Sequence, residues 1–234
     1  LVNKLDVRGE IFNNSFKLSL NNDFINKKSN LDLVFNKLNK RFINEIDFKN
    51  KVKVGNLNFF DSRKKYETIY FIEKDKLKFN STEKLDNDFF YQGLINFSPF
   101  SSEVDINLKN IDLRDLISEN SFFIEILKSN LFTNENLNFN LNVKSKNVLN
   151  HRKLKNLNLF INYENQLLNF NKSNLWFENI LLLRLINSEF KSAKKKQYFI
   201  GEFEVLINDY SKLYSFFQTK KEYRKKISSF NIFF

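Results

Sequence analysis

Between Gly93 and Ser145 the chain alternates apolar and polar residues with a period of two, and does so twice. Val104, Ile106 and Leu108 interleave with Glu103, Asp105, Asn107 and Lys109. Leu137, Phe139, Leu141 and Val143 interleave with Asn138, Asn140, Asn142 and Lys144. Successive side chains of a strand point to opposite faces, so this pattern specifies strands with one apolar and one wet face. The stretch between them is too long for a hairpin turn. In it Asp112 can cap a turn presenting Leu113, Leu116 and Ile117, and Asn120 or Ser121 can cap a piece with Phe122, Phe123, Ile126 and Leu127 at spacings of three and four. The unit therefore reads as strand, helical elbow from Asp112 to Ser129, strand.

The same alternation runs through the rest of the chain. Leu5 and Val7, then Phe16, Leu18 and Leu20, precede a turn signal at Asn21-Asn22-Asp23. Leu31, Leu33 and Phe35 precede a basic break from Lys37 to Arg41. Ile46 and Phe48 face Val52 and Val54 across Lys49-Asn50-Lys51. Leu57 and Phe59, the strand Tyr66 to Ile72, and Leu77 and Phe79 follow at near-regular spacing, which indicates antiparallel hairpins. Further on, Leu157, Leu159 and Ile161 alternate up to a turn at Asn165-Gln166, and Phe203, Val205 and Ile207 alternate up to Asp209. Asp209 caps a helix to Thr219 carrying Tyr210, Leu213, Tyr214 and Phe217 on one side. The run Ile180 to Leu183, with Leu185 and Ile186, is apolar on too many sides for a one-faced strand, and Glu178 to Asn187 is expected to be a short buried helix. A loose echo of the strand-elbow-strand unit falls between Phe203 and Phe234. The expected fold is mainly β: an extended antiparallel meander forming a curved, partly open sheet with a few short capping helices, over 1–234 as one region.

Such a sheet normally uses Gly and Pro at its turns. Here there are 4 Gly and 1 Pro in 234 residues, so Asn, which tolerates the left-handed conformation, is expected to do that work. Without Cys there is neither a disulfide framework nor a thiolate, and the one His, His151, is too little for Ser-His catalysis or a zinc site. No Gly-rich phosphate loop or nucleophile motif is present. Asp112 with Asp115, and Glu202 with Glu204, are explained as caps and solvent-face residues. No catalytic residue, metal site or cofactor is therefore expected, and the chain is read as a non-enzyme. There is no Met, which suggests a fragment whose true N-terminus is missing.

The elbow NIDLRDLISEN, then LFTNENLNFNLNV, LKNLNLFINYENQLLNF and the helix YSKLYSFFQTKKEYRKKI, resemble the AsmA-like envelope proteins of Gram-negative bacteria, best over 93–234. The resemblance implies a β-sheet whose inner face forms an apolar groove. It implies a periplasmic segment, tethered to the inner membrane by an N-terminal anchor missing here. It also implies a role in shielding or conducting phospholipid or another envelope lipid between inner and outer membranes, in support of outer-membrane assembly and its proteins. The residues expected to line the groove are Val104, Ile106, Leu108, Leu137, Phe139, Leu141, Val143, Leu157, Leu159, Ile161, Phe203, Val205 and Ile207.

The same stripes would serve equally as the core of a closed sandwich or barrel, giving a structural or interaction β-domain without lipid. The basic run Lys220, Lys221, Arg224, Lys225 and Lys226 follows an aromatic amphipathic helix and could meet anionic headgroups; a solvated helix end explains it as well. The net charge of +11 also permits nucleic acid. The aromatics, however, fall on the apolar faces of their strands, so no nucleic-acid partner is expected.

Overall fold

A computed structural model describes residues 2–11, 14–61, 64–82, 88–114, 118, 136–193 and 196–234. They are mainly β, in two compact units, Leu1–Pro99 and Phe100–Phe234.

The first unit is a meander of eight strands: β1 (Val2–Ile11), β2 (Asn14–Asp23), β3 (Lys28–Phe35), β4 (Lys40–Asp47), β5 (Lys53–Asp61), β6 (Lys64–Glu73), β7 (Lys76–Ser81) and β8 (Phe89–Phe97). Each pairs antiparallel with the next. Asn21, Asn22 and Asp23 end β2 rather than forming the turn itself. The Asp23 carboxylate accepts from the backbone N–H groups of Ile25 and Asn26, both at 3.0 Å, and so closes the loop that follows. Asp47 does the same for Lys49 at 2.9 Å before the break at Lys49-Asn50-Lys51.

The second unit contains β9 (Phe100–Ile111), β10 (Asn138–Val148), β11 (Leu154–Glu164), β12 (Leu167–Asn169), β13 (Asn174–Phe177), β14 (Leu181–Ala193), β15 (Lys196–Ile207), helix α1 (Tyr210–Phe216) and β16 (Ser229–Phe233). One pair departs from the antiparallel plan: β9 and β10 run parallel, Val104 beside Leu141 and Ile106 beside Val143. Parallel neighbours need a long crossover, which is why the intervening stretch is not a turn. Of the expected helix from Asp112 to Ser129, only its first turn and Ser118 are described. Asp112 accepts from Arg114 N at 3.0 Å, and Ser118 N donates to Arg114 O at 2.9 Å. The remainder, with Phe122, Phe123, Ile126 and Leu127, lies outside the described residues. Around α1 the chain returns antiparallel instead, Phe203 pairing with Ile232, so the two strand-elbow-strand stretches differ in pairing.

The helix expected from Glu178 to Asn187 is a strand. Glu178 turns the chain with φ 47°, and β14 then pairs with β13 on one side and β15 on the other. Leu181, Leu183 and Leu185 fall on one face. Leu182 falls on the opposite face, between Trp176 and Leu206. A short run apolar on all sides is compatible with either element, and the hydrogen bonds of two neighbouring strands decide it here. The helix at Asp209 forms, the Asp209 side chain accepting from Lys212 N, but it ends at Phe216 rather than Thr219.

Among the non-glycine residues with positive φ are Asn39, Asn150, Asn156, Asn165 and Asn187, and no glycine has one. Asn165 and Gln166, at 52° and 61°, make the tight two-residue turn from β11 to β12. The few glycines serve another purpose. A Cβ at Gly9 would lie 2.8 Å from the Phe16 ring, at Gly55 2.0 Å from the Tyr70 ring, and at Gly201 2.7 Å from the Phe234 ring. Each supplies the space into which an aromatic ring folds.

Candidate functional site

Strand register puts the expected groove residues of unit 2 on one face. Val104, Ile106 and Leu108 of β9 lie beside Leu141, Val143 and Ser145 of β10, which lie beside Ile161, Leu159 and Leu157 of β11. Phe203, Val205 and Ile207 lie beside Leu185, Leu183 and Leu181. β12 and β13 form a broken strand joining these halves, with Leu168 opposite Tyr163 and Phe190. At the break, side chains replace the missing ladder bonds. Ser173 Oγ accepts from Phe160 N at 2.9 Å and donates to Phe160 O at 3.1 Å. Ser188 Oγ accepts from Phe170 N at 3.1 Å and donates to Asn171 Oδ1 at 3.0 Å.

Accessibility divides these residues. Val143, Leu157, Ile161 and Val205 are buried, while Val104, Ile106, Leu108, Leu137, Phe139, Leu141, Leu159, Phe203 and Ile207 are half-buried. Ile161, Tyr163, Leu168 and Phe170 form one cluster against Leu137, Phe139, Leu141 and Leu159; Ile111, Val143, Val148 and Leu157 form a second against Ile106 and Leu108. Burial of the Tyr163 ring pushes its hydroxyl pKa up. On the opposite face, amide side chains link β9 to β12: Asn142 donates to Asp105 at 3.0 Å, Asn162 to Asn140 at 2.7 Å and Asn169 to Asn162 at 2.8 Å.

Unit 1 carries an apolar face that the sequence expectation left out of the site. Leu18, Leu20, Leu31, Leu33 and Leu57 share it with a continuous track of rings. The track runs Phe16, Phe35, Phe42, Phe59, Tyr66, Phe89 and Tyr91, with successive centroids 6.2, 6.2, 4.6, 5.8, 4.9 and 5.1 Å apart. These distances suit offset and edge-on aromatic pairs. Yet the rings remain half-buried, Leu5 and Ile11 are 53% and 45% exposed, and Tyr70 is the one buried large apolar residue described in this unit. All its described strands lie in one sheet, so among the described residues of the unit no second β-layer covers this face. Alternation in β2 to β6 was visible in the sequence. The track was not, because it depends on registers that place Phe35 beside Phe16 and Phe42 beside Phe59.

On the other face of unit 1, Arg41 grips Asp32 through two hydrogen bonds of 2.9 and 2.7 Å, which holds the Asp32 carboxyl below its usual pKa. On the face of the ring track itself, Tyr70 crosses Gly55 and donates to Asn44 Oδ1 at 2.8 Å; burial pushes its hydroxyl pKa up.

Lys220, Lys221, Arg224, Lys225 and Lys226 are all exposed, in the segment between α1 and β16. Arg224 Nε donates to Thr219 O at 3.0 Å, and its guanidinium lies 5.9 Å from the Tyr214 ring centre. The same segment exposes Phe217 and Tyr223 at 65% and 67%. His151 is exposed in a loop. Among the described residues no group of three or more His, Cys, Asp or Glu could hold a metal, and no helix is long and apolar enough to cross a membrane. Compared with protein-family models, with curated proteins and with solved structures, the chain matches none.

Proposed function

We propose that this chain is an AsmA-like segment of a cell-envelope protein that shields phospholipid acyl chains on an apolar sheet face, without chemistry. The observation that carries this reading is the half-buried face of unit 1, with its seven-ring track and flanking leucines. Acyl chains cover such a face without requiring any hydrogen bond, and each Å² removed from water contributes about 25 cal/mol. In this reading the half-buried residues of unit 2 also meet acyl chains, its two buried clusters are structural, and the cations from Lys220 to Lys226 meet anionic headgroups beside Phe217 and Tyr223. The full protein acts in the periplasm, held at the inner membrane, and supports outer-membrane assembly.

The test is mass spectrometry of lipids extracted from the 234-residue protein purified from the periplasm of a Gram-negative host. Phospholipid in stoichiometric amount, lost on Leu33→Asp with Phe42→Asp, is expected. Purified protein without phospholipid would overturn the proposal in favour of a structural or interaction β-domain, a reading that the buried clusters of unit 2 already favour for that unit.

A further inference from the structure

One polar side chain stands inside the leucine and aromatic field of unit 1. Asn44 of β4 lies between Leu31 of β3 and Leu57 of β5, and Phe42 and Ile46 flank it on the same face of its own strand. All four neighbours are apolar and half-buried. The Asn44 Oδ1 accepts the Tyr70 hydroxyl at 2.8 Å, across the space that Gly55 leaves in β5. That bond fixes which way the amide points. The Nδ2 end has no partner among the described residues and is not sealed from solvent. Other polar groups of this face answer one another: Thr68 Oγ1 and Tyr91 Oη share a hydrogen bond, and Tyr91 N donates to Ser81 Oγ at 3.3 Å. Asn44 thus presents two oriented N–H donors in apolar surroundings. A ligand that covered the face without an acceptor there would leave them unsatisfied, at a cost in affinity.

We propose that Asn44 is an anchor for the ester carbonyl of an acylglycerol lipid, whose acyl chain lies over the leucines of β3 and β2. The site presupposes acyl-chain shielding by this face and adds the group that fixes the lipid's place on it. The acceptor it suits is uncharged. The cations of this face, Lys40, Lys53 and Lys64, each stand at the first residue of a strand. Lys40 is four residues from Asn44, about 13 Å along β4, and is paired with Asp61 at 3.1 Å. A carboxylate at Asn44 would therefore be buried without a counter-charge, which is expensive. An ester carbonyl accepts a hydrogen bond, carries no charge and is joined directly to hydrocarbon. From Asn44 towards β1 the face is apolar: Leu31 leads to Leu20, and the adjoining row runs from Leu33 to Leu18. In the other direction Leu57 is followed by Thr68 and Ser81. The chain accordingly runs towards β1, and the glycerol end towards β6 and β7.

Competition between a diester phosphatidylethanolamine and its diether analogue of equal chain length tests the anchor, since the ether lacks only the carbonyls. The 234-residue chain, delipidated in a maltoside detergent that has no carbonyl, receives both in equal amounts, and bound lipid is read by native mass spectrometry. The diester is expected to be preferred about two- to tenfold, the range of one net hydrogen bond. Asn44→Leu, which leaves the face apolar, is expected to take up both equally. In NMR spectra of the wild-type chain, which need no variant, the Asn44 side-chain amide protons shift with the diester and not with the diether. Methyl contacts from the end of the bound chain reach Leu20 and Leu18 rather than Thr68. Equal uptake of the two lipids by the wild-type chain, a diester preference that survives Asn44→Leu, unmoved Asn44 amide protons, or chain-end contacts at Thr68 would overturn the proposal and leave acyl-chain shielding standing. Uptake of neither lipid would overturn both.

Discussion

Replacing Gly55 by Ala tests the packing that organises unit 1. The added methyl would stand 2.0, 2.3 and 2.5 Å from Cζ, Oη and Cε1 of Tyr70. Non-bonded carbons rest about 3.5–4.0 Å apart, so the ring must retreat by roughly 1.5 Å. Retreat breaks the 2.8 Å bond from Tyr70 to Asn44, a loss of about 1 kcal/mol. Displacing a buried ring in packed surroundings adds about 1–3 kcal/mol. Against this, Ala orders more readily than Gly in a strand by about 0.5–1 kcal/mol. The net expectation is destabilisation by about 1–3 kcal/mol, measured by urea denaturation followed by circular dichroism, with faster amide exchange in β5 and β6. Tyr70→Ala destabilises by itself, but in that background Gly55→Ala becomes neutral or slightly stabilising. Equal costs of Gly55→Ala in both backgrounds would refute the argument, since the ring would then not be what the methyl meets.

Ser188→Ala should destabilise unit 2 by about 1–3 kcal/mol, because the buried Phe170 N–H loses its acceptor; the fluorescence of Trp176 during urea unfolding reports it. The Asp32 carboxyl is depressed in the folded state by Arg41, so its contribution is present above the unfolded carboxylate pKa and lost as pH falls through the folded value. Asp32→Asn should therefore flatten the decline in stability below about pH 4. The amplitude is about 0.2–1 kcal/mol, since the pair is largely exposed. If the headgroup role holds, reversing Lys220, Lys221, Arg224, Lys225 and Lys226 to Glu should weaken binding to vesicles containing anionic lipid at least tenfold, at about 1 kcal/mol per charge. Unchanged sedimentation with such vesicles would remove that role.

The strands were legible because alternation is a local property. Val104 to Leu108, Leu157 to Ile161 and Phe203 to Ile207 declare their faces without reference to any neighbour. The Asp209 cap and the Asn165-Gln166 turn are local in the same sense, and both formed where their residues indicated. The run after Ile180 was misread because its period is ambiguous until β13 and β15 bind it from both sides. The site was legible only in part. Residues expected to line one groove share one face in unit 2, yet several are buried in clusters with Tyr163, Leu168 and Ile111.

By itself, then, the sequence determined that this chain is mainly β, where most strands run, which face of each is apolar, and that Asn would turn corners normally given to Gly. Tertiary structure decided pairing and cover. It set β9 and β10 parallel, aligned seven rings from six strands into one track, folded Phe16, Tyr70 and Phe234 over glycines, and left the apolar face of unit 1 partly open to solvent. The physical reason is range. A side chain's face follows from its immediate neighbours, whereas register and cover follow from contacts between residues far apart in the chain, and alternation is equally compatible with several of them.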